Sequence, residues 1–266
     1  MNPGAACCGV ILLSACVAGC GGTAGGDPGV DTASQASAAM DPAADARARL
    51  PALHVVLAWE HLVAGRNPQQ HDYDGRMAAC AEAGWPARPL AAEERARLGT
   101  GRVEIMVDAR RQRVRQTMWT LGMDEALPDH EAVCHPRLRE ELLEYEAHPD
   151  DRRFLPLDGE QLAADEALAT SIGWRRDGSG QVGGQDCVRW QSDRQEVCMW
   201  SGGTGWGIGL LPLDLRGCNG MPLDHYLGAI PLQSKSLDGS GCNLELQSFS
   251  LGRGLLPADP SGAGGQ

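Results

Sequence analysis

The chain has 266 residues, 42% of them hydrophobic, and a formal net charge of -12, so it is long enough for a sizeable core and lacks the basic face that a nucleic-acid binder needs to displace counterions. Its basic residues are nearly all Arg, with Lys235 the sole lysine. A Gly-x-Ser-x-Gly nucleophile elbow is missing, and the glycines between 202 and 207 do not match a phosphate-binding loop, which leaves no recognisable catalytic motif.

The first element is an apolar stretch over residues 9–18, well below the roughly 18 to 20 apolar residues that cross a bilayer as a helix. It ends in Val17-Ala18-Gly19-Cys20, which resembles the lipobox at which bacterial lipoprotein precursors are lipidated and cut. Leu13-Ser14-Ala15-Cys16 is a second acceptable site. Cleavage before Cys20 leaves six further cysteines, enough for three disulfides, whereas cleavage before Cys16 leaves Cys20 as an odd thiol. The expectation is a signal peptide over 1–19, lipidation at Cys20 and attachment to a membrane through that lipid. Gly21, in place of Asp after the cysteine, implies by the same resemblance the outer membrane of a Gram-negative cell, with the domain facing the periplasm. Residues 20–49 hold almost no large apolar side chain and read as a flexible tether, and residues 257–266 read as a disordered tail. A single domain is expected over 50–256.

Within it, Leu50, Leu53, Leu57 and Val63 with Trp59 predict an amphipathic helix that stops at residues 65–68, although Val55 and Val56 leave an extended reading open. A second helix is predicted over 75–83, and a third opens at Pro89 and runs to Leu98. A fourth starts at Pro136, where Leu138, Leu142, Leu143 and Tyr145 share one face until His148-Pro149. The Ala-rich run 159–170 predicts a fifth.

The strands separate from these helices along the chain. Val103, Ile105 and Val107 alternate with polar residues and predict a hairpin returning through Val114, Gln116 and Met118 to Trp119. A two-residue turn at Ser192-Asp193 puts Cys187 opposite Cys198, Val188 opposite Val197 and Arg189 opposite Glu196. Trp206 to Leu211 supplies another strand. A last pair runs through Ile230 and Leu232, turns at 238–241 and returns through Leu244, Leu246 and Phe249.

The strand pair 103–119, the stretch Val182-Gly183-Gly184-Gln185-Asp186-Cys187-Val188-Arg189-Trp190 leading to Glu196-Val197-Cys198-Met199-Trp200, and Ile230-Pro231-Leu232 with its returning strand resemble the strand order of LolA-like envelope proteins. The resemblance covers residues 100–252 and consists of pattern, with no catalytic motif. It implies a curved antiparallel half-barrel whose concave, apolar cavity shelters a hydrophobic ligand or serves as a platform for a partner. The expected fold class is therefore α+β: a curved antiparallel sheet, half-barrel-like, covered on one face by helices and stapled by disulfides.

Joining Cys187 to Cys198 leaves three pairings of Cys80, Cys134, Cys218 and Cys242, of which nearest-in-sequence pairing selects Cys80 with Cys134 and Cys218 with Cys242. With no Cys-x-x-Cys after residue 20, these read as structural bridges of an oxidising compartment. His130 and His135 are five apart, about 140° round a helix, and cannot form the i, i+4 zinc pair. His71, Asp72 and Asp74 are metal-capable but equally at home in a polar loop, and His54 and His61 read as structural histidines. No metal or cofactor is expected.

Arg110, Arg111, Arg113 and Arg115 make the densest positive cluster, where anionic headgroups or cell-wall polymer can dock unless it is simply a solvated hairpin tip. Trp200 and Trp206 become ligand-facing if they line the open concave face. The function expected is a non-enzymatic envelope lipoprotein binding a hydrophobic or envelope-derived ligand; the alternative is a lipoprotein that acts as a partner-binding module in the envelope.

Overall fold

The computed structural model describes residues 51–108, 112–147, 159–200, 202–203 and 230–252. The expected signal peptide, Cys16 and Cys20, the tether, the tail, Arg110, Arg111, the strand at 206–211 with Trp206, and Cys218 lie outside the described residues. All the described residues belong to one compact unit.

Nine antiparallel strands form one open sheet: β1 (Ala52–Leu62), β2 (Thr100–Val107), β3 (Gln112–Met123), β4 (Pro136–Ala147), β5 (Arg175–Val182), β6 (Gln185–Gln191), β7 (Gln195–Trp200), β8 (Ile230–Ser236) and β9 (Gly241–Gly252). The spatial order is β4-β3-β2-β1-β9-β8-β7-β6-β5. Each half is a meander of sequence neighbours, and the first and last strands close the sheet in the middle through an eleven-pair ladder from Ala52↔Gly252 to Leu62↔Gly241. Among the described residues four helices lie outside the sheet: α1 (Pro68–Glu82), α2 (Ala92–Arg97), α3 (Asp129–Ala132) and α4 (Gly159–Ser171). None of the described helices is long and apolar enough to cross a membrane.

Residues 52–62 are a strand, which corrects the helix expected there and is the extended reading that Val55 and Val56 left open. Leu53 and Leu57 are four apart, a spacing that fits a helix turn and also an even number of strand positions. Val55 between them and Trp59 after them are buried on the same face, which only the period of two allows. Residues 136–147 are also a strand and not the fourth helix. Leu, Glu and Arg favour helices, but β3 presents an edge of unpaired backbone groups, and β4 covers it with twelve registered pairs from Gln112↔Ala147 to Met123↔Pro136.

The helix expected at 75–83 starts seven residues earlier. Asn67 caps it, its Oδ1 accepting from the backbone N–H of Gln69 and Gln70 at 3.0 and 3.2 Å, and Pro68 occupies the first helical position. The Asn-Pro pair taken to end one helix is thus the start of another. Strand β5 was missed because Arg175 to Val182 has no apolar alternation; its register with β6 shifts between Arg176 and Ser179, around Gly178 at φ +90°.

The hairpin of β6 and β7 forms with a register two residues from the expected one. Ser192 and Gln195 are the last pair, with Ser192 N–H donating to Gln195 O at 2.8 Å, and the Ser192 hydroxyl accepts from the N–H groups of Arg194 and Gln195. The turn is therefore Asp193-Arg194. Val188 faces Met199, Arg189 faces Cys198 and Trp190 faces Val197, which corrects all three expected pairings, Cys187 opposite Cys198, Val188 opposite Val197 and Arg189 opposite Glu196. The Arg189 side chain instead covers Gly180.

Cys187 is bonded to Cys198 and Cys80 to Cys134, with Cα–Cα separations of 5.5 and 5.8 Å. Cys242 is also disulfide-bonded. The core is one face of the sheet: Leu53, Val55, Leu57, Val103, Ile105, Val197, Leu232 and Leu244 are fully buried and belong to one cluster, joined by Ala169 of α4 and by Trp174.

Candidate functional site

The opposite face of the central strands carries small, polar and charged side chains, and rows of cross-strand neighbours run over it. One row is Glu245, Ala58, Arg102, Thr117 and Leu142, crossing β9, β1, β2, β3 and β4. A second is Ser248, Val56, Glu104, Arg115 and Glu144 on the same strands. Asn243 faces Glu60, and Trp119 faces Glu140, flanking the first row on its other side.

Two hollows lie along these rows. The first, about 670 Å³, has Val56, Ala58, Trp59 and Trp119 as its apolar surface and Glu60, Arg102, Asn243, Glu245 and Gln247 among its polar groups. The second, about 380 Å³, is lined by Arg102, Glu104, Arg115, Thr117, Glu140 and Leu142. Arg102 belongs to both, so the two hollows meet at its side chain.

The site has a fixed side and a free side. Trp119 is anchored by its indole Nε1, which donates to Glu140 Oε2 at 3.2 Å, and the Arg97 guanidinium stands 5.7 Å from its ring centroid. Glu104 accepts from His54 Nε2 at 2.7 Å. Arg115 and Arg113 reach Glu144 at 2.6 and 3.0 Å, and these two guanidinium groups hold its carboxyl below the usual carboxylate range. Glu60 accepts from Asn67 Nδ2 at 3.1 Å, tying the rim to the α1 cap. Arg102, by contrast, is exposed and has no hydrogen bond or ion pair among the described residues.

Trp200, a ligand-facing candidate only if it lined an open concave face, is 4% exposed and packs edge-on against Phe249 with ring centroids 5.0 Å apart. It is a core residue and lines neither hollow. Arg113 and Arg115, half of the expected basic cluster, are paired with Glu144, so their charge is engaged on the sheet.

The histidine and aspartate candidates are spread over separate elements. Asp72 pairs with Arg76 one turn along α1, Asp74 pairs with Arg95 of α2 at 2.6 Å, and the His130 ring meets Trp85 edge-on at 6.0 Å. Among the described residues, no three His, Cys, Asp or Glu side chains converge as a metal site. Sequence reasoning passed over Arg102, Trp119 and Glu245. Their signal was the alternation itself: they stand next in sequence to the apolar-face residues Val103, Met118 and Leu244 and so face the other way.

No protein-family model matches the chain, and no curated protein is similar to it in sequence.

Proposed function

We propose that this protein is a membrane-anchored envelope lipoprotein whose domain binds a hydrophobic or envelope-derived ligand without transforming it. The observation that carries the reading is the hollow of about 670 Å³ over β9, β1, β2 and β3, in which an apolar floor meets a few convergent polar groups. That combination and size are those of small-molecule sites, for which roughly 300 to 1,000 Å³ is usual. The bonded cysteines support an oxidising compartment, and Val17-Ala18-Gly19-Cys20 supports export with lipidation at Cys20. Ala169 and Trp174, packed into the apolar face, support a curved sheet with α4 covering that face, as in the LolA-like pattern.

Native mass spectrometry of the full chain, extracted from its membrane in mild detergent, tests the binding. A molecule carried at one per chain is expected, and Ala58→Trp, which fills the floor of the hollow, is expected to lose it. Wild-type protein that is empty in every preparation, or a ligand retained by Ala58→Trp, overturns the reading. Metabolic labelling with an alkyne fatty acid tests the anchor: label is lost in Cys20→Ser and kept in Cys16→Ser.

The alternative, a partner-binding module, is favoured by the edge strand β4, where Leu142 and Leu143 are 56% and 41% exposed. Crosslinking in cells that recovers one reproducible partner, lost in Leu142→Lys, supports it.

A further inference from the structure

Resting on the reading of the hollow as a ligand site, we infer that its ligand is an uncharged carbohydrate chain, laid over Trp119 and hydrogen-bonded by Arg102, Asn243, Glu245 and Gln247.

The lining excludes the other two envelope chemistries by physical argument. An acyl chain filling the hollow takes Arg102 and Glu245 out of water with no hydrogen bond in return and strips Glu60 of all but its bond from Asn67, an unfavourable exchange. An anionic polymer meets four carboxylates, Glu60, Glu104, Glu140 and Glu245, against two guanidinium groups, Arg102 and Arg115. Arg115 is already held by Glu144, so even with Arg97 beside the Trp119 ring the carboxylates outnumber the guanidinium groups left to meet a polyanion.

A neutral glycan fits the same features. Its rings present C–H groups of slight positive charge that suit the negative face of an indole, and its hydroxyls are donors and acceptors matched to Asn, Gln, Glu and Arg side chains. Trp119 is held in place before any ligand arrives, by Glu140 at its Nε1 and by Arg97 beside its ring, which lowers the ordering cost of binding. Arg102 offers a forked set of donors not spent on any protein partner among the described residues. The shape is also that of a chain site. The two hollows join at Arg102 and cross five adjacent strands, and at about 4.8 Å per strand this is a strip of about 19 Å, long enough for several sugar rings.

The test is isothermal titration of the full chain with the hexamers of N-acetylglucosamine, glucose and xylose, with hexagalacturonate and palmitate alongside. At least one neutral hexamer is expected to bind, about tenfold or more tightly than its dimer. Trp119→Ala is expected to weaken it by about tenfold, the size of a lost aromatic contact. Arg102→Ala and Gln247→Ala, both at exposed positions, are expected to weaken it severalfold with an unchanged circular dichroism spectrum, which keeps the test valid if Trp119→Ala fails to fold. Palmitate binding without any neutral hexamer, or hexagalacturonate binding more tightly than the neutral hexamers, overturns the carbohydrate inference and leaves the ligand-binding reading standing. Binding of none of the five overturns it too, and the native mass spectrum then decides whether the ligand-binding reading falls with it.

Discussion

Trp59 on β1 stands opposite Gly101 on β2, and the indole lies so close over the glycine that a Cβ there would come within 2.2 Å of Trp59 Cε2. Both residues line the hollow, at the end of the apolar face of the two central strands, and the Trp59 Nε1 is buried with no hydrogen-bond partner among the described residues. Gly101→Ala forces the ring or the strand to shift and is expected to cost about 1 to 3 kcal/mol, read as a lower urea midpoint at unchanged slope. A wild-type midpoint would mean that the indole moves aside freely.

Asn67 works in two directions at once. Its Oδ1 caps α1, while its Nδ2 donates to Leu98 O at 2.7 Å and to Glu60 at 3.1 Å, and the residue is buried. Asn67→Ala is expected to lose about 2 kcal/mol, since the cap disappears and the Leu98 carbonyl is left unpaired. Asn67→Asp keeps the cap but places a second carboxylate beside Glu60, so it too is expected to be less stable than wild type at pH 7. Full recovery by Asp in thermal melts would reduce Asn67 to a cap.

The two described bridges close loops of different length. Cys187 and Cys198 are 11 residues apart and Cys80 and Cys134 are 54 apart, for which the chain-entropy relation gives about 3 and about 4 kcal/mol. Replacing Cys80 and Cys134 together by Ala is therefore expected to lower stability more than replacing Cys187 and Cys198, in unfolding monitored under oxidising conditions. The reverse order would show that strain or residual structure outweighs loop closure.

Two carboxyls set opposite pH dependences. Hydrogen bonds from Arg115 and Arg113 lower the Glu144 pKa, so its contribution is present above the unfolded value of about 4.3 and is lost as pH falls through the lower folded value. Glu144→Gln is expected to cost about 0.5 kcal/mol at pH 7, a solvent-screened magnitude, with the difference fading towards pH 3. Burial raises the Asp165 pKa, so the folded state favours its neutral form and the charged form is a burden once pH exceeds the folded value. Asp165→Asn is expected to raise the melting temperature at pH 7 and leave it unchanged at pH 3. Melting curves of both variants across pH 3 to 7 check the signs.

Alternation was enough to find the hairpin of β2 and β3, the pair β8 and β9, and the approximate place of β6 and β7, because Val, Ile and Leu at every second position have no helical reading when Asp, Glu or Gln stand between them. It failed where residues fit both periods. Leu53 and Leu57 are compatible with helix and strand, and Leu138, Leu142 and Tyr145 have helical spacing in a segment that β3 recruits as its edge partner. The β6–β7 register slipped by two because two registers two residues apart put the same side chains on the same faces, and only the hydrogen bonds of the Ser192 hydroxyl choose between them.

From the sequence by itself came the acidic composition, the bridge between Cys187 and Cys198 and the apolar faces of the hairpins. These are local properties, carried by residues close together in the chain. The tertiary structure alone decided that the first and last strands meet in the middle of the sheet, and so that Glu245 and Arg102 flank Ala58 across three strands. Pairings between residues as far apart as 58 and 245 leave no local periodicity to read, since they arise when the whole sheet closes over its buried face. The hollow at Trp119 and Arg102 is a product of that closure.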